Sequence, residues 1–217
     1  MIFIKVSVSF LKSKYSHKET INLIENTNCD YIHVDVMDGN FVLNKTENLI
    51  KYLIHSKKKL DVHLMVEEPL DYINDYAKLN VEYITIHSEI NKDLSNLIDY
   101  IHSLNIKCGL AISPETDVNK IEPYLSKIDQ VLIMSVHPGA GGQKFIDSSI
   151  DKINILDNLR SINNYKYIIN IDGGVNKETI SAIKKTNIDM VVSGSFITLS
   201  DNYVRLLFFS TKLMPTV

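Results

Sequence analysis

Apolar and polar positions follow two different periods along the chain, and the two periods take turns from one end to the other. Short β-branched runs whose side chains alternate in polarity predict strands, while longer stretches with apolar residues three and four apart predict helices. The predicted strands are Val6–Phe10, Tyr31–Asp35, Leu60–Leu64, Tyr83–His87, Lys107–Ile112, Gln130–Ser135, Lys166–Ile171 and Met190–Ser193.

Helical stretches fill the intervals between these strands. Their starts carry recognisable signals, such as a serine that can cap the first turn or a proline at the first helical position. The predicted helices are Ser16–Asn26 with Ser16 as N-cap, Thr46–His55, a helix that begins at Pro69, Leu94–Ser103, a short one at Val118–Leu125, Ile150–Arg160, Lys177–Lys185 and Asp201–Val217, the last without clean amphipathic spacing.

Regular alternation of strand and helix predicts a parallel sheet. Eight such units in 217 residues, or about 27 residues per unit, favour closure into an α/β fold of the (β/α)8 type, the TIM barrel. A doubly wound open sheet is the alternative, but it gives no reason for eight units. No linker or shift in composition divides the chain, so we expect one domain over residues 1–217.

Composition and charge narrow the function classes. The net charge is −3 and the basic residues are not clustered, which argues against nucleic-acid binding. No apolar run approaches the roughly 20 residues of a membrane-spanning helix. Met1–Val6 is therefore interpreted as the lead-in to the first strand, not as a signal peptide. Cys29 and Cys108 lie far apart in the sequence without a C-x-x-C pattern. We expect both side chains to be buried in the fold as free thiols, and the protein to be in a reducing compartment, the cytoplasm.

Polar residues interrupt three of the predicted strands near their carboxyl ends. His33 and Asp35 share one strand face, His63 ends the next strand, and Asp172 follows the seventh. A His-x-Asp pair alone is more often a hydrogen-bonded pair than a metal site. In a (β/α)8 barrel, however, the carboxyl ends of all strands meet at one mouth. Two imidazoles and two carboxylates there predict a site for a divalent metal.

Glycines follow the last three predicted strands at the same mouth. Their backbone N–H groups can cradle a phosphate, which in this fold usually binds after strands seven and eight. Ser9 lies at the same end of the first strand, and three methionines at strand ends predict an apolar lining. The candidate phosphate contacts are Gly139, Gly141, Gly142, Gly173, Gly174, Gly194 and Ser195, and the candidate lining residues are Met37, Met65 and Met134.

Four stretches in this order resemble the D-ribulose-5-phosphate 3-epimerase family: His33–Gly39 (HVDVMDG), Asp61–Val66 (DVHLMV), Met134–Lys144 (MSVHPGAGGQK) and Asp172–Val175 (DGGV). The resemblance covers nearly the whole chain and implies a (β/α)8 barrel of the ribulose-phosphate-binding type. It also implies a metal-dependent, cytoplasmic isomerase that forms homo-oligomers. By motif match, the ligands of one divalent ion per chain (Zn²⁺, Fe²⁺, Mn²⁺ or Co²⁺) would be His33, Asp35, His63 and Asp172.

The resemblance assigns further roles to the same residues. Asp35 and Asp172 would form the acid/base pair that interconverts D-ribulose 5-phosphate and D-xylulose 5-phosphate in the pentose phosphate pathway, while Ser9, His63 and Asp172 would contact substrate. His87, also at a strand end, is expected to support the site or the fold, not to bind the metal. The chain departs from the family pattern at Val8, at Leu43–Asn48, at His137 and at Ala140.

Three alternatives remain open at this stage. The departures lie in pocket loops, so the substrate is alternatively a hexulose phosphate such as D-allulose 6-phosphate. A lyase on a related phosphate-binding barrel would carry Asp-x-Lys-x-x-Asp on the third strand, whereas Asp61–Met65 has no lysine. A non-catalytic sugar-phosphate binder would not need both Asp35 and Asp172.

Overall fold

The structure, a computed structural model, describes residues 4–200 and contains a closed barrel of eight parallel strands in sequence order. The barrel closes where the first strand pairs with the last, with Val6 opposite Val191. The predicted barrel is therefore confirmed. The strands are β1 (Lys5–Ser9), β2 (Tyr31–Met37), β3 (Lys59–Met65), β4 (Val81–His87), β5 (Lys107–Ile112), β6 (Gln130–Met134), β7 (Ile168–Asp172) and β8 (Met190–Ser193).

Helices follow most of the strands and cover the outside of the barrel. Ser16 caps the first of them through a reciprocal bond with Glu19, and Pro69 begins the third, as predicted. The predicted helix at Asp201–Val217 and the first three residues of the chain lie outside the described residues. The helices are α1 (His17–Glu25), α2 (Ile50–Leu53), α3 (Pro69–Tyr76), α4 (Leu94–Ser103), α5 (Ser149–Asn163), α6 (Ile180–Ile183) and α7 (Ser195–Thr198).

The second helix is much shorter than the predicted Thr46–His55. The residues of the predicted first half are held at the barrel mouth instead. The Thr46 hydroxyl accepts a hydrogen bond from the backbone N–H of Met37, and the Thr46 N–H donates to the Met37 carbonyl. The Asn48 side chain then accepts the N–H of the first helical residue. Side-chain bonds of this kind compete with helix formation.

Two other predicted helices are also corrected. Lys177–Lys185 keeps only the four residues of α6, because the Asn176 side chain accepts two backbone N–H groups at the start of the segment. Val118–Leu125 forms two three-residue 3₁₀ turns instead of a helix. Pro123 interrupts that segment, and a proline has no N–H for a helical bond.

Alternation along the strands separates two cores. In β2, Val34 and Val36 point outward and belong to the large apolar layer between barrel and helices. His33 and Asp35 point inward, as the sequence pattern predicts, and are buried. The site therefore rests on strands whose outer faces are fixed by packing.

The barrel interior changes in character from one end to the other. Tyr31, Tyr83 and Met190 fill the amino-terminal end with apolar surface. Polar groups occupy the carboxyl end. Within residues 4–200, no helix is long and apolar enough to cross a membrane. Cys29 and Cys108 are free and buried, as predicted, and burial raises the pKa of both thiols.

Candidate active site and metal centre

Three strands bring two histidines and two aspartates together at the carboxyl end of the barrel. One ligand atom from each of His33, Asp35, His63 and Asp172 lies within 4.8 Å of the other three. His33 Nε2 is 3.4 Å from Asp35 Oδ1 and 3.6 Å from Asp172 Oδ2. His63 Nδ1 is 3.5 Å and 3.7 Å from the same two oxygens. The sequence predicted this convergence.

The cluster fits a divalent metal ion. His33 Nε2 and His63 Nδ1 are buried and have no hydrogen-bond partner among the described residues, although buried polar atoms are normally satisfied. A tetrahedral ion about 2.1 Å from each donor holds the donors about 3.4 Å apart, and the four nitrogen–oxygen distances are close to this value. Two neutral imidazoles and two carboxylates suit several first-row metals.

The ring of His33 is oriented from behind by Asp61. His33 Nδ1 donates to Asp61 Oδ2 at 2.8 Å, and the same oxygen accepts from the hydroxyl of Ser7 at 2.9 Å. Because a carboxylate only accepts, Nδ1 carries a proton, and Nε2 is the nitrogen that faces the cluster and is free to ligate a metal once it is deprotonated. Asp61 lies two residues before His63 on the same face of β3.

A chain of side chains from the carboxyl end of β4 and the turn after it supports His63 in the same way. His63 Nε2 is 2.9 Å from His87 Nε2, and His87 Nδ1 is 2.9 Å from Glu89 Oε2. Glu89 is held in turn by the backbone N–H of Ser113 and the hydroxyl of Thr116. His87 therefore supports a candidate ligand and is not itself part of the four-residue cluster, as expected from the sequence.

The histidines and carboxylates of the cluster shift one another's pKa values. Burial lowers the pKa of His33, but the nearby carboxylates of Asp35 and Asp61 raise it by more than burial lowers it. The net pKa of His33 therefore lies well above the usual value. Burial raises the pKa of Asp35, but His33 and His63 lower it, and the net pKa lies well below the usual value. The carboxylates thus draw positive charge to this point, which is what a bound cation would supply.

Asp35 faces the cluster with one oxygen and the barrel mouth with the other. Its Oδ1 points to the two histidines, and its Oδ2 accepts from the Ser9 hydroxyl at 2.7 Å. Ser9 in turn accepts the N–H of Leu11 at 3.3 Å. This contact fixes one of the two carboxylates that the family resemblance implies for proton transfer.

A cavity of about 300 Å³ opens above the cluster. That volume is at the lower end for small-ligand sites. His33 and His63 are fully buried beneath it. Met37, which was predicted to line the site, is buried and is not among the lining residues; its backbone N–H and carbonyl bond to Thr46 in the segment that follows β2. The remaining predicted residues line the cavity: Ser9, Asp35, Met65, Met134, Gly139, Gly141, Gly142, Asp172, Gly173, Gly174, Gly194 and Ser195.

The model of the ribulose-phosphate 3-epimerase family matches residues 5–198. The chain belongs to this family. It is 37% identical over 201 residues to the ribulose-phosphate 3-epimerase of Helicobacter pylori strain J99, covering 89% of this chain and 90% of that one. The Bacillus subtilis ribulose-phosphate 3-epimerase is 38% identical over 197 residues, with coverages of 88% and 91%. The resemblance drawn from the sequence motifs is thus confirmed, and the chain is an epimerase acting on a sugar phosphate.

Solved structures share the fold of this epimerase at low sequence identity. KGPDC from Streptococcus mutans superposes with a TM-score of 0.67 at 12% identity, covering 95% of both chains. Phosphoribosyl anthranilate isomerase from Thermococcus kodakaraensis gives 0.61 at 16% identity, with coverages of 95% and 96%. These likenesses confirm the (β/α)8 barrel.

The segment 38–48 after β2, which includes the departure from the family pattern at Leu43–Asn48, reaches the glycine loop after β6. Asp38 accepts the N–H groups of residues 40, 41 and 67, which ties this segment to the loop after β3. The ring of Phe41 packs against that of His87, with 4.6 Å between the two ring centroids. Asn44 Nδ2 donates to the Gly139 carbonyl at 2.7 Å. The segment therefore forms one wall of the mouth.

Two supporting residues of the epimerase site, Asp61 and Glu89, were not predicted from the sequence. Each lies two residues from a histidine at a strand end, a spacing that could have pointed to both. Asp61 shares a face of β3 with His63, and Glu89 lies in the turn directly after β4. The departures at His137 and Ala140 are solvent-exposed residues at the cavity rim, and His137 pairs with Glu115 at 3.1 Å.

Proposed function

We propose that the protein interconverts D-ribulose 5-phosphate and D-xylulose 5-phosphate in the pentose phosphate pathway by a two-base proton transfer at C3. The observation that carries the proposal is the arrangement of Asp35 and Asp172. Both line the cavity, both reach the same two histidine nitrogens, and β1 and β8 separate their strands around the barrel. Carboxylates that approach from two directions can serve the two faces of one carbon.

Two proton transfers invert the configuration at C3. One aspartate takes the proton of the C3–H bond, whose electron pair becomes the C2–C3 double bond of an enediolate with negative charge on O2. The other aspartate delivers a proton to the opposite face of C3, which restores the ketone and inverts the carbon. The hydrogen bond from Ser9 to Asp35 Oδ2 orients one of these carboxylates toward the cavity.

His33, Asp35, His63 and Asp172 would hold one divalent ion, with Zn²⁺, Fe²⁺, Mn²⁺ and Co²⁺ as the candidates. When bound, such an ion supplies several kcal/mol of Lewis-acid stabilisation to the negative charge of the enediolate. The supporting contacts of Asp61 and His87 hold both imidazoles in the orientation and tautomer that ligation needs.

The glycine loops would receive the phosphate. Gly142 and Gly174 have positive φ angles of 79° and 63°, a conformation that glycine adopts without strain and that turns backbone N–H groups toward a ligand. Both line the cavity together with Gly194 and Ser195. An anchored phosphate would position C3 above the aspartates.

Turnover of both ketose phosphates by the purified, metal-loaded protein tests the proposal. We expect efficient conversion of D-ribulose 5-phosphate to D-xylulose 5-phosphate, followed by ¹H NMR in D₂O, and a kcat/KM at least about tenfold lower for D-allulose 6-phosphate. A preference for the hexulose phosphate, or cleavage of either sugar, would overturn the assignment.

We also propose that the chain is a single catalytic domain over residues 1–217 and works as a homo-oligomer in the cytoplasm without nucleic-acid partners. Two free, buried cysteines fit a reducing compartment. Light scattering of the full chain tests the oligomer, and a fluorescent fusion tests the compartment.

A further inference from the structure

Lys12 lies in the loop after β1, and its backbone is fastened to the far side of the mouth. Its carbonyl accepts a hydrogen bond from the Thr198 hydroxyl at 2.5 Å. Thr198 is in α7, directly after the β8 glycine loop, and its hydroxyl is also 3.1 Å from the Gly194 carbonyl. The main chain of Lys12 is therefore held beside the loop that contains Gly194 and Ser195.

The side chain of Lys12 crosses from that loop to the glycine loop after β6. A Cβ built on Gly141 would lie 3.3 Å from the Lys12 Cβ, and one built on Gly142 would lie 2.8 Å from the Lys12 Nζ. The stem thus packs along Gly141, and the ammonium lies against Gly142. Lys12 spans the two loops between which the proposed phosphate site lies.

The charged side chains that line the cavity are mostly acidic, so the positive charge of the Lys12 ammonium matters for binding an anion. Of the cavity-lining residues in the described part of the chain, Lys12 is the one lysine or arginine, whereas Asp35 and Asp172 bring two carboxylates. No carboxylate of residues 4–200 forms an ion pair with Lys12. A phosphate dianion near two carboxylates is repelled unless a positive charge stands close to it. Backbone N–H groups carry only partial charges.

We propose that the Lys12 ammonium directly binds the phosphate of the substrate and makes the enzyme select phosphorylated over unphosphorylated ketoses. The inference rests on the proposed function and deepens it, because it adds a charged side chain to a site otherwise built from backbone groups. A charge-assisted bond to phosphate is worth about 1.5 kcal/mol or more, which corresponds to about tenfold in affinity.

The test compares Lys12→Gln with Lys18→Gln, which makes the same charge change on the exposed face of α1, away from the cavity. Gln retains the backbone bond to Thr198. We expect Lys12→Gln to raise both the KM for D-ribulose 5-phosphate and the inhibition constant for inorganic phosphate about tenfold, with kcat changed by less than about threefold. Lys12→Arg should recover most of the loss.

Wild-type turnover and the inhibition constant for inorganic phosphate together distinguish failure of this inference from failure of the proposed function. If the wild-type enzyme turns over D-ribulose 5-phosphate and the two Gln variants have equal inhibition constants for inorganic phosphate, Lys12 does not bind the phosphate. If the wild-type protein does not turn over this sugar, the proposed function fails. Calorimetric titration with inorganic phosphate then still decides the role of Lys12, because equal dissociation constants in both variants, or no binding to wild type, would refute it.

Discussion

His63 Nε2 lies 2.9 Å from His87 Nε2, so one imidazole must donate to the other. The direction follows from Glu89, whose carboxylate accepts from His87 Nδ1. Burial lowers the pKa of His87 to about 4, which keeps the ring neutral near pH 7 and leaves its Nε2 as an acceptor. His63 then donates from Nε2 and presents the Nδ1 lone pair to Asp35 and Asp172.

Replacing Glu89 with Gln should weaken metal binding. A neutral amide holds the His87 proton less firmly and can also turn to donate to that ring, which would reverse the tautomer of His63. Losses of about 10-fold to 100-fold in metal affinity are typical when such supporting groups are changed. Competition with a chromogenic chelator measures the dissociation constant.

Glu82→Gln is the matched control for this variant. Glu82 is at the amino-terminal end of β4, the strand that Glu89 follows, and pairs there with Lys107. Its substitution should leave the metal affinity unchanged within about twofold. Equal affinity in the wild type and the Glu89 variant would show that the contacts of His87 and Glu89 do not set the orientation of His63.

Removal of the metal should lower stability as well as abolish activity. The buried Asp35, the partly buried Asp172 and two imidazole nitrogens that have no hydrogen-bond partner within residues 4–200 face one another in the cluster. A ligand that binds only the folded state stabilises it. We expect elemental analysis to find about one divalent transition-metal ion per chain. Chelation should lower the midpoint of thermal unfolding by several degrees, and adding the ion back should restore both properties. Full activity after complete chelation, with no metal detected, would exclude the metal site.

The strand ends could be predicted from the sequence because alternation fixes which residues share a face. His33, Asp35, His63 and Asp172 follow from this rule and from the closure of the barrel. The length of α2 could not be predicted, because Thr46 and Asn48 make side-chain bonds that propensity does not encode. Lys12 was missed for a related reason: it lies in a loop, and its position depends on packing against Gly141 and Gly142.

Asn44 connects the segment after β2 to the glycine loop, so its loss should weaken substrate binding. The side chain donates to the Gly139 carbonyl at 2.7 Å. A neutral hydrogen bond of this kind is worth about 1 kcal/mol. We expect Asn44→Ala to raise the KM for D-ribulose 5-phosphate about fivefold with a small change in kcat. Asn40→Ala is the control, because Asn40 lies in the same segment and contributes its backbone N–H to the bond with Asp38. Equal KM values in the two variants would remove Asn44 from the site.

The two aspartates should fail in different ways when each is replaced by Asn. If each serves one face of C3, Asp35→Asn and Asp172→Asn both lose most epimerisation, because net inversion needs both bases. A variant with one remaining base can still remove a proton and return solvent deuterium to the same face. We therefore expect one variant to exchange the C3 hydrogen of D-ribulose 5-phosphate and the other that of D-xylulose 5-phosphate, as measured by ¹H NMR in D₂O.

Metal content decides how this result is interpreted, because each aspartate is also a candidate ligand. Asn keeps the shape of the side chain and can ligate through its carbonyl oxygen, whereas Ala cannot, so the Asn variants are the ones to compare. The ion must be quantified in the same samples. Exchange with opposite epimers by two metal-loaded variants can arise only if the bases act on opposite faces. If both variants retain the ion and either still interconverts the epimers near the wild-type rate, proton transfer does not use this pair.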